Sequence, residues 1–278
     1  MTRVAAVQLC ATPDVEANLT AIERLTRQAA ERGAATVLLP EACTFLGPES
    51  EKAAILEPLP DPAAPDPGFR PGPILERLQR LARDTSAHLI FGFHEQSPEA
   101  GKSYNTCVHL DASGELVARY RKIHLFDVSL ADGTVLRESA RTLPGDSAAV
   151  TETPFGTLGL TVCYDLRFPQ LYQKLADLGA IAVTVPSAFT RPTGAAHWHV
   201  LLRARAIEAQ CWVIAPAQHG RNWAKRSSYG HTLIVDPWGE IVAELDDGDG
   251  IVTAEIDPAR VLDVRRQLPS LEHRRPIH

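Results

Sequence analysis

Two hydrophobic rhythms alternate along the 278 residues. "VAAVQLC" (Val4 to Cys10) is a compact apolar run that reads as a first strand. "DVEANLTAIERLTRQAAERG" follows with apolar residues at helical spacing, Asp14 in position to cap its start and Gly33 in position to end it. "ATVLLPEACTF" predicts a buried strand running to Glu41, "ILERLQRLARDTS" a helix and "HLIFGFHEQ" another strand. The same order returns later: strand "TLGLTVC", helix "FPQLYQKLADLG" with Pro169 in its first turn and Gly179 at its close, then strand "AIAVTVPSA". "VHLDASGELVARY" and "LIVDPWGEIVAEL" resemble one another as strand, D-x-x-G-E turn and strand, a hairpin signature. Each half of the chain thus mixes strand–helix units with a hairpin. That predicts an α/β fold of two mixed sheets packed face to face with helices outside, an α-β-β-α sandwich in one domain over residues 1–278. The proline-rich stretch from Glu57 to Pro73 fits neither rhythm and reads as a surface loop.

Composition adds mainly exclusions. With 45% hydrophobic and 22% charged residues the chain reads as an ordinary soluble globule, and a net charge of −6 offers no basic footprint for nucleic acid. No run approaches the roughly 18 apolar residues of a membrane span, and the opening "MTRVAAVQLCATPD" lacks the pattern of a cleavable leader. The five cysteines, Cys10, Cys43, Cys107, Cys163 and Cys211, are odd in number, scattered and without a C-x-x-C pair. They predict neither a disulfide framework nor a zinc site, and fit a reducing cytoplasm.

Cys163 stands out by its setting. In "LTVCYDLRFPQ" an apolar strand ends in a thiol and a proline-led helix follows at once, the sharp strand-to-helix bend of a nucleophile elbow. Such a bend exposes the side chain, and a nearby helix N-terminus is expected to favour the reactive thiolate. A free cysteine in a sheet is more commonly a small core residue, so its company decides. A cysteine hydrolase needs a base for the thiol proton and a cation or N–H pair for the oxyanion. Glu41 at the end of "TVLLP" and Lys122 at the end of "LVARYRK" supply both, each delivered at the carboxyl edge of a strand.

"LLPEACTF", "RYRKIHLFDV" and "LTVCYDLRFPQLY" resemble, in order, the glutamate, lysine and cysteine motifs of the nitrilase superfamily of carbon–nitrogen hydrolases. The likeness runs from Val4 to about Pro276. "HLFDVSLADGTVLRESARTLPG" further resembles the Nit branch, whose second glutamate falls on Glu138, and the later stretches are most similar to members that hydrolyse deaminated glutathione. The resemblance implies a four-layer α-β-β-α sandwich, usually dimeric, and an amidase that converts a 2-oxo acid amide to a carboxylate and ammonia through a cysteine thioester. Glu41 is then the base, Lys122 and the backbone N–H of Tyr164 hold the oxyanion, and Glu138 positions the lysine. No metal or organic cofactor is implied. Arg167 is in reach to grip a substrate carboxylate with its planar fork, and Thr193 matches a position that holds an α-keto acid end. A structural pairing of Arg167 with Asp165 is the competing reading.

Related activities share the triad: ω-amidase action on short amides such as α-ketoglutaramate, nitrile hydrolysis and N-carbamoyl hydrolysis. A catalytically idle scaffold is the alternative outside enzymes. His197 and His199 in "HWH" point to different helix faces and predict no metal site. "RNWAKRSS", with Arg221, Lys225 and Arg226, reads as a solvated basic loop. The tail from about residue 265 to 278 resembles an arm laid across a homodimer interface, and the proline-rich loop bears on substrate size only if it borders the pocket mouth.

Overall fold

The computed structural model describes residues 1–64, 66–129 and 135–275. Two six-stranded sheets form its centre. In spatial order the first runs Gly250–Ile256, Thr2–Gln8, Thr36–Leu38, His88–Gln96, Ser103–Leu110 and Leu116–Arg121. The second runs Ile241–Leu245, Thr232–Val235, Trp212–Ala215, Ala182–Thr184, Gly156–Leu160 and Ala149–Thr153. The sheets share one plan. Three parallel strands are continued by two antiparallel ones, and one more antiparallel strand closes the other side. The two D-x-x-G-E hairpins occupy equivalent places in that plan. Their turns are built alike: Asp111 accepts the N–H groups of Ser113 and Glu115, and Asp236 those of Trp238 and Glu240. Gly114 and Gly239 supply the positive φ.

Layering follows from alternation along the strands. In Thr2–Gln8, Val4 and Ala6 belong to the core between the sheets, whereas Ala5 and Val7 face the helices Val15–Glu31 and Pro73–Thr85. Being covered on both sides is why the first strand reads as an unbroken apolar run rather than an alternating one. Helices Pro169–Asp177 and Arg191–Ala209 cover the outer face of the second sheet through Leu171, Leu175, Trp198 and Leu202. Fully burying a Val or Leu side chain contributes about 1.5–3 kcal/mol, so these two faces carry much of the fold. The α-β-β-α sandwich expected from the sequence is the architecture observed.

Sequence signals at the helix ends hold. The Asp14 carboxylate accepts from Ala17 N at 3.0 Å, and Gly33 follows the first helix with φ of 81°. The proline-rich stretch contains no helix or strand among its described residues up to Gly72, but it is tied down. Glu57 is buried, and its carboxylate accepts from Ile74 N (2.7 Å) and Leu75 N (2.9 Å), satisfying free donors at the start of helix Pro73–Thr85. At the other end of the chain, Arg265 lies inside helix Pro258–Gln267, so the tail begins beyond the expected residue 265. It turns back on its own chain, where Gln210 donates to the Leu268 carbonyl and Arg274 pairs with Asp177. No helix among the described residues is long and apolar enough to cross a membrane.

Candidate active site

Carboxyl edges of both sheets meet in one cleft. Strand Thr36–Leu38 stops three residues before Glu41, so the glutamate sits on the turn beyond the strand rather than at its last position as expected. The turn is tightly set. Ala42 has φ of 54°, and Gly92 on the neighbouring strand lies so close that a Cβ there would come within 2.6 Å of Glu41 Cα. Lys122 follows Leu116–Arg121 directly, and Cys163 stands three residues past Gly156–Leu160. Cys163 has φ of 48°, in the left-handed region that a side chain occupies only at a cost, at the sharp bend expected there.

The elbow is braced from below by Asp165, which is wholly buried. Its carboxylate accepts from Val162 N (2.9 Å), Tyr120 Oη (2.8 Å) and His124 N (3.1 Å), and pairs with His124 Nδ1 (2.7 Å). This acid therefore ties the cysteine turn to the strand that carries Lys122 and does not pair with Arg167. Arg167 instead lines the cleft with its guanidinium 5.4 Å from the Phe189 ring centre and 5.7 Å from that of Tyr164, and Nη1 is 3.3 Å from His197 Nδ1. Thr193 lines the same wall, its hydroxyl 2.8 Å from that of Thr190.

Glu41, Lys122, Glu138 and Cys163 all line this cleft. Lys122 is only 2% exposed, so its charge persists only with close counter-charges. It donates to Glu41 Oε1 at 3.2 Å and to both Glu138 oxygens at 3.1 and 2.8 Å. Burial works against the ammonium, yet the Glu138 and Glu41 charges outweigh it and hold the Lys122 pKa above the ordinary lysine value. Burial likewise opposes ionisation of Glu41. Lys122 and hydrogen bonds from Cys163 and Asn105 overcome it and hold the carboxyl below its usual range. Cys163 moves the other way: burial and the neighbouring Glu41 charge push its thiol up, with only partial opposition from Lys122. The expectation that a helix N-terminus favours the resting thiolate is thereby corrected. The residues after Cys163 form a short 3-10 turn, Cys163–Arg167, before helix Pro169–Asp177 begins, and the carboxylate beside the sulfur dominates. The resting pair is a thiol facing a carboxylate, a donor poised against a base.

Sequence reasoning missed four partners. Asn105, on strand Ser103–Leu110, donates to Glu41 at 2.8 Å and to Glu138 at 3.1 Å and so fixes the spacing of the two acids. Backbone N–H groups do the rest: Ala188 donates to Glu41 Oε2 (2.9 Å) and Phe126 to Glu138 Oε2 (2.7 Å). The fourth is Arg226. "RNWAKRSS" is a hairpin of His219–Trp223 and Arg226–Tyr229 rather than a solvated loop, and Arg226 enters the cleft wall. No described residue of the proline-rich stretch from 57 to 73 lines the cleft. Away from it His199, His231 and Glu244 converge, with both rings within 2.9 Å of Glu244 Oε1. His197 and His199 do diverge as the helical spacing predicts.

The family pattern described as carbon-nitrogen hydrolase matches residues 3–266. A deaminated glutathione amidase of Homo sapiens is 44% identical over 279 residues, covering 98% of this chain and 82% of that protein. One from Synechocystis sp. is 43% identical and covers 97% of each. The crystal structure of the C. elegans NitFhit protein superposes with a TM-score of 0.88 at 37% identity, covering 99% of this chain and 65% of that longer one. With a match across nearly its whole length and the sandwich fold of these relatives, this chain belongs to the carbon–nitrogen hydrolase family.

Proposed function

We propose that the protein is an amidase acting on amides of 2-oxo acids, with deaminated glutathione as its leading substrate, and that Cys163 is its nucleophile. The observation that carries the reading is the meeting of a buried carboxylate, a buried ammonium and a thiol in one cleft. Glu41 takes the Cys163 proton as sulfur attacks the amide carbonyl. The N–H of Cys163 is occupied by the Pro186 carbonyl at 3.0 Å, so the next amide along, Tyr164, joins Lys122 in holding the oxyanion. The C–N bond breaks, the amine departs with the proton from Glu41, and a thioester remains. Water, deprotonated by Glu41, then adds to the thioester, the C–S bond breaks and the thiol regains its proton. Glu138 holds Lys122 charged and aimed throughout.

Deaminated glutathione contains no primary amide, so the amine it loses at the 2-oxoglutaryl bond is cysteinylglycine; ammonia is the product only from primary amides such as α-ketoglutaramate. The ω-amidase reading stays second, because the same Arg167 and Thr193 wall suits the 2-oxo acid end of either compound. The relatives' shared name favours the first. Measuring 2-oxoglutarate formed from both compounds, beside ammonia from a plain aliphatic amide, tests the proposal. Deaminated glutathione is expected to show the highest kcat/KM, and turnover of the aliphatic amide alone would overturn the substrate class.

The same reading makes the chain a single domain and a homodimer of the reducing cytoplasm, with no nucleic-acid or membrane partner. Support for a dimer comes from exposed apolar residues on one side. Val200 and Ile207 are two helical turns apart on Arg191–Ala209, and Gly239, next to exposed Trp238, packs on the Ile207 side chain. Five unpaired cysteines fit the reducing compartment.

A further inference from the structure

Five cationic side chains line the cleft: Lys52, Lys122, Arg137, Arg167 and Arg226. Their charges are not equally available. Lys52 is taken by Glu49 at 2.7 Å, and Lys122 by Glu41 and Glu138. Arg137 is exposed at the rim, where water solvates it. Arg167 and Arg226 remain, both recessed and neither within salt-bridge distance of a carboxylate among the described residues. Arg226 is the less satisfied. Its Nη2 donates to the Ala188 carbonyl at 2.5 Å, while its Nε is buried with no acceptor among the described residues. A half-buried guanidinium with an unused buried donor, in a cleft wall, is built for an anion that arrives from outside.

Its position says which anion. Ala188 accepts from Arg226 through its carbonyl and donates to Glu41 through its N–H, so Arg226 stands on the Glu41 side of the cleft. Its charge is among those that hold the Glu41 carboxyl down. Arg167 stands beside Tyr164 and Phe189, on the side of the cysteine turn and Thr193. Glu41 hands its proton to the leaving amine, so the amine portion of the substrate lies toward Glu41 and the acyl portion toward Arg167. We propose that Arg226 is a specificity residue that binds a carboxylate on the amine portion, so that the cleft selects amides carrying a carboxylate on each side of the scissile bond. This rests on the amidase reading above. It separates deaminated glutathione, whose glycine end supplies the second carboxylate, from α-ketoglutaramate, which has only the first.

Two measurements test it. In steady-state kinetics Arg226→Met is expected to raise KM for deaminated glutathione about 10- to 100-fold, the range a lost charge-assisted bond gives, and the KM for α-ketoglutaramate by less than about threefold. Arg226→Lys is expected to recover part of the loss. An equal fall in kcat on both amides would assign Arg226 to bracing Ala188 and Glu41 instead, and an unchanged KM for deaminated glutathione would remove the subsite. Should the Met variant fail to fold, calorimetric binding to the Cys163→Ala protein decides. Deaminated glutathione is expected to bind at least tenfold tighter than its glycinamide form, and equal affinities would overturn the assignment. If the parent enzyme turns over neither 2-oxo amide, the amidase reading fails; if it turns them over without dependence on Arg226, only this inference does.

Discussion

At the scale of single residues, two neighbouring groups are displaced in opposite directions. Glu41 is held below the ordinary carboxylate range and the Cys163 thiol above the ordinary thiol range. Catalysis by a carboxylate that accepts and a thiol that donates is lost when Glu41 is protonated or Cys163 ionised. The kcat/KM profile is therefore expected to stay flat from about pH 5 to 8, with its acid limb below about 4.3 and its basic limb above about 8.5. A limb rising through neutrality would mean a different ionisation governs the reaction. Asn105 stabilises the charged form of Glu41, so Asn105→Leu raises the Glu41 pKa and moves the acid limb upward. Losing a hydrogen bond to a charged group, about 1.5–3 kcal/mol, is expected to lower kcat roughly 10- to 100-fold. An unchanged profile would show that Asn105 has no part in setting the pair. For Arg167→Met, KM is expected to rise sharply for anionic amides and not for neutral ones; a uniform loss on both would assign Arg167 a structural role.

Elements carry the geometry, and here the sequence was legible in part. Glu41, Lys122 and Cys163 could be found because each follows an apolar strand, and strand ends leave a readable pattern. Asn105 could not, since "SYNTCVHL" alternates like any strand and its partner Glu41 lies 64 residues away. Ala188 and Phe126 act through backbone N–H groups, which side-chain identity does not reveal. Arg226 was misread because a basic run looks the same in a solvated loop and in a hairpin folded against a cleft. The left-handed turn at Cys163 similarly has no glycine or asparagine to announce it. Close packing of elements adds a test of its own. Gly92→Ala would place a Cβ against the Glu41 backbone, and overpacking of this kind costs about 1–3 kcal/mol. A lowered Tm together with a larger fall in kcat than in substrate affinity is expected. A variant with parental Tm and kcat would show that the Glu41 turn tolerates displacement.

At the scale of the whole molecule, two sheets of one plan are set face to face so that their carboxyl edges share one cleft. The first sheet contributes the base and the ammonium, the second the thiol. Neither half holds the full set, which is why no local motif sufficed and why the single-domain reading predicts one cooperative unfolding transition in calorimetry. Two separated transitions would contradict it. The apolar side formed by Val200, Ile207 and Trp238 predicts a dimer by light scattering and sedimentation, converted to monomer by a Val200→Glu, Ile207→Glu double variant. A monomeric parent would remove that interface. The central claim, that the Cys163 sulfur forms the bond to the acyl carbon, is tested most directly by the Cys163→Ala protein, checked for parental Tm and assayed for 2-oxoglutarate release from deaminated glutathione. The account predicts loss of turnover by at least about a thousandfold; release at the parental rate would contradict it.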